Sequence, residues 1–337
     1  MHLLGLVEAP DHVCCRYRLN AFRASWERDG HALVLASWPR RWLGWPSLLA
    51  KTRQADAVIV QRKLPTRWQL HFLRRNAKLL LFDFDDAVFG RDSYSTKGIP
   101  STRRQSRFQS ICAAADVVIA GNAFLGKQAV RWTTSSRVHV IPTCVDPDAY
   151  PLARHESRDI GAQLVWVGSS STLQSLESIR HLLNTLGQTV PGLQLKLVCD
   201  RFLHLERLPV IPVGWSEATE ANELASADIG ICWMPDDDWS RGKCGLKLLQ
   251  YMAAGLPVVA NPIGVQKEIV RHGETGFFAD TAEEWQNAVC QLATDPALRR
   301  RMGAAGRRRL AADYSVERGA AMWGNVLSSL QVGRAAA

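Results

Sequence analysis

The sequence predicts an α/β protein with two parallel sheets, each covered by helices on both faces. Short apolar runs alternate with longer helical stretches along nearly the whole chain, which is the pattern of parallel strands joined by crossover helices. Six such runs fall in each half of the 337 residues, a length that suits about two domains. From residue 282 onward the chain reads almost entirely helical.

In the first half the strands are expected at 3–7, 32–35, 57–60, 79–82, 117–120 and 138–141. In the second half they fall at 164–167, 195–199, 210–213, 229–233, 257–260 and 276–278. Each run is dominated by Leu, Val, Ile or Ala and is too short to bury a helix. Asp-Pro-Asp, Tyr-Pro and a charged run interrupt the pattern at 146–161, so two Rossmann-like domains are expected, at 1–155 and 156–315. The most informative stretch is 241–259. Gly255 accepts a left-handed stop and Pro257 cannot continue a helix, so a helix running from about residue 243 ends there and a buried strand follows. On such a helix Lys243, Lys247, Gln250 and Ala254 share one stripe, with Leu248, Leu249 and Met252 opposite. A helix N-terminus with two lysines favours an anion, although a solvated lysine face would look the same.

Composition narrows the classes. A net charge of +9 and heavy Arg use allow three partners: nucleic acid, an anionic membrane surface or a phosphate-bearing small molecule. No zinc-finger, aromatic RNP or basic-zipper pattern occurs, so nucleic acid ranks last. No apolar run reaches transmembrane length, and the first residues read as a strand rather than a signal peptide. The eight cysteines are scattered without metal-ligand spacing, which gives a reduced, cytoplasmic compartment and no zinc as the expectation.

Ligands of doubly wound sheets sit at the carboxyl ends of strands, so residues just after each strand are the candidates. Leu79–Phe82 runs into Asp83, Asp85 and Asp86, which could act as a base, hold an acceptor hydroxyl or bind a metal; a solvated, capping turn is the plain alternative. Gly168 and Ser169 open a hydroxyl run ahead of a helix, suited either to diphosphate contact or to capping alone. Gly264, Val265 and Glu268 follow another strand, where a first-turn carboxylate could accept from a ribose or sugar. Gly214 and Trp215 stand where a base could be contacted. Residues 121–128 nearly spell a P-loop, but Gln128 replaces the hydroxyl that holds magnesium, so that reading is set aside. Three tryptophans interleave with two arginines at 38–46, which fits a core-packing loop or a membrane interface.

Taken together, the motifs resemble the retaining group 1 (family 4) glycosyltransferases of GT-B fold. They include Cys15-Arg-Tyr-Arg18, Gln61-Arg-Lys63, Phe82-Asp-Phe-Asp-Asp86, Ala115-Asp-Val-Val-Ile-Ala-Gly-Asn122, Trp166-Val-Gly-Ser169, the 241–259 stretch and Gly306-Arg with Tyr314-Ser315. The resemblance implies two Rossmann-like domains with parallel sheets facing across a cleft, and a last helix at 316–337 crossing back to the first. It implies transfer of a sugar from a nucleotide-diphosphate donor, a UDP- or GDP-sugar, to a hydroxyl acceptor with retention of configuration. No metal or other cofactor is expected. Lys243 and Lys247, with Arg241, would stabilise the diphosphate; Gly168 and Ser169 would add donors, and Gln250 would hold ribose. Asp83, Asp85 or Asp86 would face the acceptor, and Arg16 and Arg18 would hold an anionic acceptor group. A lipid-linked acceptor and peripheral contact with the inner face of the membrane complete the expectations. The chain departs from the family where two glutamates are usual: Gly242 and Gln250 stand there. A GT-B nucleotide-sugar epimerase and a non-catalytic sugar-nucleotide-binding protein remain as alternatives.

Overall fold

The computed structural model describes residues 1–39, 41–156 and 161–335. Arg40, within the Trp/Arg stretch at 38–46, and residues 157–160, within the junction, lie outside the described residues.

The first sheet contains β1 (His2–Val7), β2 (Ala32–Ser37), β3 (Ala57–Gln61), β4 (Leu80–Phe84), β5 (Val117–Ala120) and β6 (Val138–Val140), in the order β2-β1-β3-β4-β5-β6. The second contains β7 (Gln163–Val167), β8 (Gln194–Cys199), β9 (Val210–Gly214), β10 (Ile229–Cys232), β11 (Val258–Ala260) and β12 (Gly276–Phe278), in the order β12-β11-β10-β7-β8-β9. Every pairing is parallel. All twelve strands fall on the runs that the sequence marks out, with ends differing by two residues or fewer. This is the two-sheet α/β architecture expected of GT-B.

Period-two alternation divides the first sheet's side chains between two cores. Leu4, Leu6, Val58, Val60, Leu80 and Phe82 face one side, and Leu3, Val7, Ala57, Ile59, Leu81 and Ile119 the other. The second sheet is packed around Trp166, Leu195, Leu197, Ile229 and Trp285. Strand order reverses beside β1 and β3 in one sheet and beside β7 and β10 in the other. The carboxyl ends of those strands are where such sheets open a crevice for ligands.

The chain divides into two compact units. The first takes Met1–Cys144, Asp237–Cys244 and Val316–Ala337; the second takes Val145–Asp236 and Gly245–Ser315. The first stretch of unit 1 thus ends at Cys144, where residue 155 was the sequence expectation. In the first unit the helix Val316–Ala335 sets Trp323 edge-on to Trp26, with ring centroids 5.3 Å apart. No described helix is long and apolar enough to cross a membrane, and all eight cysteines are free thiols.

Candidate active site

In the first unit, β4 and the turn after it bring the carboxylates of Asp83, Asp85 and Asp86 against Arg18, Arg62 and Lys243. Asp83 is wholly buried and is gripped by Arg18, equally buried, through the Nε and Nη2 donors of one guanidinium edge. Arg18 also donates to the Ile141 carbonyl at 2.5 Å. Burial pushes the Asp83 carboxyl above its usual value although the Arg18 charge pulls it down. Asp83 and Arg18 therefore fill each other's bonding capacity in the core, and the sequence expectation that they face an acceptor is corrected.

Asp85 and Asp86 are shared by Arg62, which lies 3.3 Å from Asp85 Oδ1 and 2.6 Å from Asp86 Oδ2. Arg62 directly follows β3 and has φ +58, a left-handed backbone that costs a non-glycine residue roughly 1–2 kcal/mol. Its side chain also donates to Cys14 Sγ. Burial pushes the Cys14 thiol up to about 12, so it stays protonated. Lys243 completes the group, its Nζ 3.0 Å from Asp86 Oδ2 and 4.3 Å from the Trp239 ring centroid. Arg16 is half-buried with its guanidinium over the Tyr17 ring.

The loop carrying Lys243 is clamped by Asn122, which caps the helix Ala123–Val130 and donates to the Arg241 and Lys243 carbonyls at 3.2 and 2.9 Å. Gly242 lies against the backbone of Ala87: a Cβ would come 2.7 Å from Ala87 Cβ and 2.8 Å from its nitrogen. That close approach is why no side chain stands at the position where the resemblance expects a glutamate.

The stretch 241–259 does not form one helix reaching back to Lys243. A short helix, Asp238–Arg241, ends at Gly242, and the next, Leu246–Ala253, begins only after Gly245. Gly245 has φ +71, and a Cβ there would lie 2.2 Å from Ile269 Cδ1. Periodicity could not register this break, because the lysine spacing survives it. Arg241 and Lys243 consequently belong to the first unit, Lys247 and Gln250 to the second. Arg241 is exposed and lies 3.5 Å from Asp238.

In the second unit, Lys247 lies on the first turn of Leu246–Ala253. Its Nζ is 3.3 Å from Thr172 Oγ1 and 4.4 Å from the centroid of Trp166, a residue of β7. The neighbouring helix, Ser170–Ser178, begins directly after Gly168 and Ser169. A Cβ on Gly168 would meet Trp166 Cη2 at 2.3 Å and Thr172 Oγ1 at 2.9 Å, so glycine is required by packing. The Gly168 N–H donates to the Val198 carbonyl, and the Ser169 N–H to Thr172 Oγ1. The Ser170 N–H and hydroxyl both reach Asp200, at 2.6 and 2.8 Å, which hold that carboxyl below its usual value. The expected Gly168 and Ser169 backbone donors are thus engaged by the protein itself.

Gln250 is buried and donates to the Tyr150 hydroxyl at 3.1 Å. Trp215, partly exposed after β9, donates from Nε1 to Glu220 at 2.7 Å. Gly264 has φ +52, Val265 is buried and Glu268 is exposed, its backbone carbonyl accepting from Arg309. Among the described residues, no cluster of three His, Cys, Asp or Glu could hold a metal ion. Sequence reasoning missed Arg62, Asn122, Tyr150 and Asp200 as site residues. Arg62 and Asp200 each directly follow a strand, the signal that could have found them; nothing local marks Tyr150.

The fold recurs among solved structures, and part of the second unit matches a known family. Residues 147–295 match the family of glycosyl transferases group 1. A GDP-Man:Man(3)GlcNAc(2)-PP-Dol alpha-1,2-mannosyltransferase of Dictyostelium discoideum is 25% identical over 146 residues, which are 43% of this chain and 25% of that protein. The match thus spans about a quarter of the curated relative. Among solved structures, sucrose-phosphate synthase from Thermosynechococcus elongatus superposes with a TM-score of 0.74 at 16% identity, covering 98% of this chain and 99% of that one. Anabaena Alr3699/HepE in complex with UDP and glucose gives 0.69 at 15% identity, with 98% and 100% covered. A glycosyltransferase from Rickettsia africae gives 0.73 at 13%, with 98% of both covered. The chain has the fold of these glycosyltransferases.

Proposed function

We propose that the protein is a glycosyltransferase that moves a sugar from a nucleoside-diphosphate donor to a hydroxyl acceptor, with retention of anomeric configuration and without a metal. In that reaction the bond from the anomeric carbon to the diphosphate breaks, the acceptor oxygen bonds to that carbon, and the acceptor's hydroxyl proton passes to an oxygen of the departing diphosphate. The largest developing charge is on the departing diphosphate. A preorganised cation there contributes most when it is aimed in advance.

The observation that carries the proposal is the placing of Lys247. Its ammonium is held between Thr172 and Trp166 at the carboxyl end of β7, beside the strand-order reversal and within the stretch that matches group 1 glycosyl transferases. Lys247 is the diphosphate-stabilising group in this reading. Gln250 and Tyr150 line the ribose side, with Trp215 toward the base and Gly264, Val265 and Glu268 toward the sugar. Lys243, held by Asp86, moves from the diphosphate to the acceptor-binding unit, where Asp85, Asp86, Arg62 and Arg16 form the polar strand-end group. The alternatives of an epimerase or a non-catalytic binder gain no support, since the similar proteins named as enzymes are synthases or transferases.

The donor is a UDP- or GDP-sugar in this reading, as in a UDP-glucose complex of the Anabaena protein and the Dictyostelium relative's name. The acceptor in this reading is a hydroxyl compound, lipid-linked or anionic. A thermal-shift screen against UDP, GDP, ADP, TDP and their sugars tests donor binding. A ligand at a hundred times its Kd should add about 2.7 kcal/mol of apparent stability. A screen in which none of them raises the melting temperature would remove the proposal.

A further inference from the structure

Three neighbouring helices of the first unit, Trp45–Gln54, Arg67–Asn76 and Thr102–Ala114, bury one side on a shared core through Trp45, Leu48, Leu70, Leu73, Phe108 and Ile111. Together they carry eight Lys or Arg and no Asp or Glu. A solvated helix layer ordinarily mixes both signs, which makes this one-sided layer unusual. Burial and the neighbouring Arg103 charge both lower the pKa of Arg107, as expected where like charges gather without acids on the same helices.

The same layer exposes large apolar side chains. On Arg67–Asn76, Trp68, His71, Phe72 and Arg75 follow i, i+3, i+4, i+7 spacing and are all exposed, so a second stripe lies opposite the buried Leu70 and Leu73. Trp68 and Phe72 are 47% and 45% exposed. They continue a run of edge-to-face rings from the buried Trp45, with centroids 5.1 and 6.3 Å apart. In the turn leading into Trp45–Gln54, Trp42 and Leu43 stand 74% and 66% exposed.

From this juxtaposition of exposed Trp, Phe and Leu with an acid-free basic helix layer, we infer that this face of the first unit docks on an anionic lipid surface. Tryptophan settles at the boundary between headgroups and acyl chains, and lysine and arginine gain energy from the negative headgroup layer. The combination distinguishes a bilayer from a nucleic acid. Rings could stack on bases, but Leu43 beside Trp42 has no base to pair or stack with, whereas it gains by entering the acyl boundary. The inference goes beyond the transferase reading and stands or falls separately from it.

The test is sedimentation of the full chain with vesicles of phosphatidylcholine alone and of phosphatidylcholine with phosphatidylglycerol, at low and physiological salt. Wild type should pellet with the anionic vesicles and only weakly with the neutral ones. Trp42→Ser/Leu43→Ser and, separately, Arg67→Glu/Arg75→Glu should each lower partitioning more than about tenfold. Both pairs are solvent-facing, so circular dichroism melting should confirm an unchanged fold, and nucleotide-sugar thermal shifts should remain as in wild type. Absence of pelleting with anionic vesicles at low salt, or pelleting that survives both pairs of substitutions, would overturn the inference. So would tight binding of a single-stranded nucleic acid by a protein that ignores the vesicles.

Discussion

Lys243 Nζ stands 3.0 Å from Asp86 Oδ2, across 157 residues of sequence, on the same oxygen that Arg62 approaches at 2.6 Å. One carboxylate thus serves two cations, and the two cations do not depend on it equally. Lys243 also rests on the Trp239 ring, while Arg62 also reaches Asp85. Lys243→Met should therefore cost little stability, within about 1 kcal/mol for a partly exposed pair. Asp86→Ala leaves two cations short of an acceptor and should cost about 1–3 kcal/mol. Urea unfolding of both variants checks the order. A Lys243 variant less stable than the Asp86 variant would reverse the argument.

The buried Arg18–Asp83 pair behaves differently because water cannot replace a lost partner. Arg18→Met should destabilise by about 3–5 kcal/mol, since it strands the Asp83 carboxylate in the core. Arg18→Met/Asp83→Leu should recover most of that loss, because an apolar pair of similar volume needs no counter-charge. Recovered molecules should transfer sugar at near wild-type rate per folded chain. If the double variant folds well yet is inactive, the pair has a role beyond the core.

These two pairs show where the sequence was legible and where it was not. The strands were readable because parallel strands buried on both faces are written as continuous apolar runs, as 57–60 and 79–82 are. The acid cluster was readable as a place, because strand ends collect ligands. Its three fates were not, because the burial of Asp83 against Arg18 and the sharing of Asp85 and Asp86 by Arg62 are decided by tertiary neighbours far along the chain. The helix through Lys243 failed for a related reason. Four-residue spacing is blind to one left-handed glycine, and what demands that glycine is Ile269, twenty-four residues later. Gly168 stands out in the sequence as a strand-end glycine, but the Trp166 ring that leaves no room for a Cβ there is not legible in that local pattern.

Lys247 supplies the sharpest functional test. Lys247 is only partly buried and its contacts with Thr172 and Trp166 are made by the ammonium, so Lys247→Ala should melt within about 1 kcal/mol of wild type. Transfer should fall by roughly 10²–10³, the usual loss when one charge-stabilising donor is removed. The decisive measurement is the rate with saturating donor and acceptor, alongside a melting curve. Turnover near wild type would take Lys247 out of the mechanism.

Gly168→Ala probes the platform under that lysine. The added methyl would collide with Trp166 and Thr172, the two groups that hold the Lys247 ammonium. Overpacking of this kind should cost about 1–3 kcal/mol. Unlike Lys247→Ala, it should lower both the melting temperature and the donor-induced shift. A Gly168 variant that loses stability but keeps the full donor shift would detach the platform from donor binding.

His155 gives the second unit a pH dependence of known sign. Its Nε2 lies 2.7 Å from the Gly255 carbonyl, so that nitrogen carries the hydrogen, and the buried Nδ1 has no hydrogen-bond partner. Protonating Nδ1 would add a donor with no acceptor beside the Arg299 and Arg300 charges. Burial first, and those arginines after it, lower the His155 pKa, against the Gly255 carbonyl and Asp228. Below the ordinary imidazole value of 6.5 the unfolded chain then binds more protons than the folded one. The stabilising contribution is complete above that value and is lost as pH falls through the folded pKa. His155→Asn keeps a residue that tolerates the left-handed φ of +52 while removing the titration. Urea midpoints measured from neutral pH down to about pH 5 should fall less steeply in the variant than in wild type, because the imidazole titration that lies in this range is gone. The other histidines with lowered values, His12, His31 and His139, act alike in both proteins, so the difference in slope isolates His155. Parallel curves would show that this buried ring does not govern acid stability.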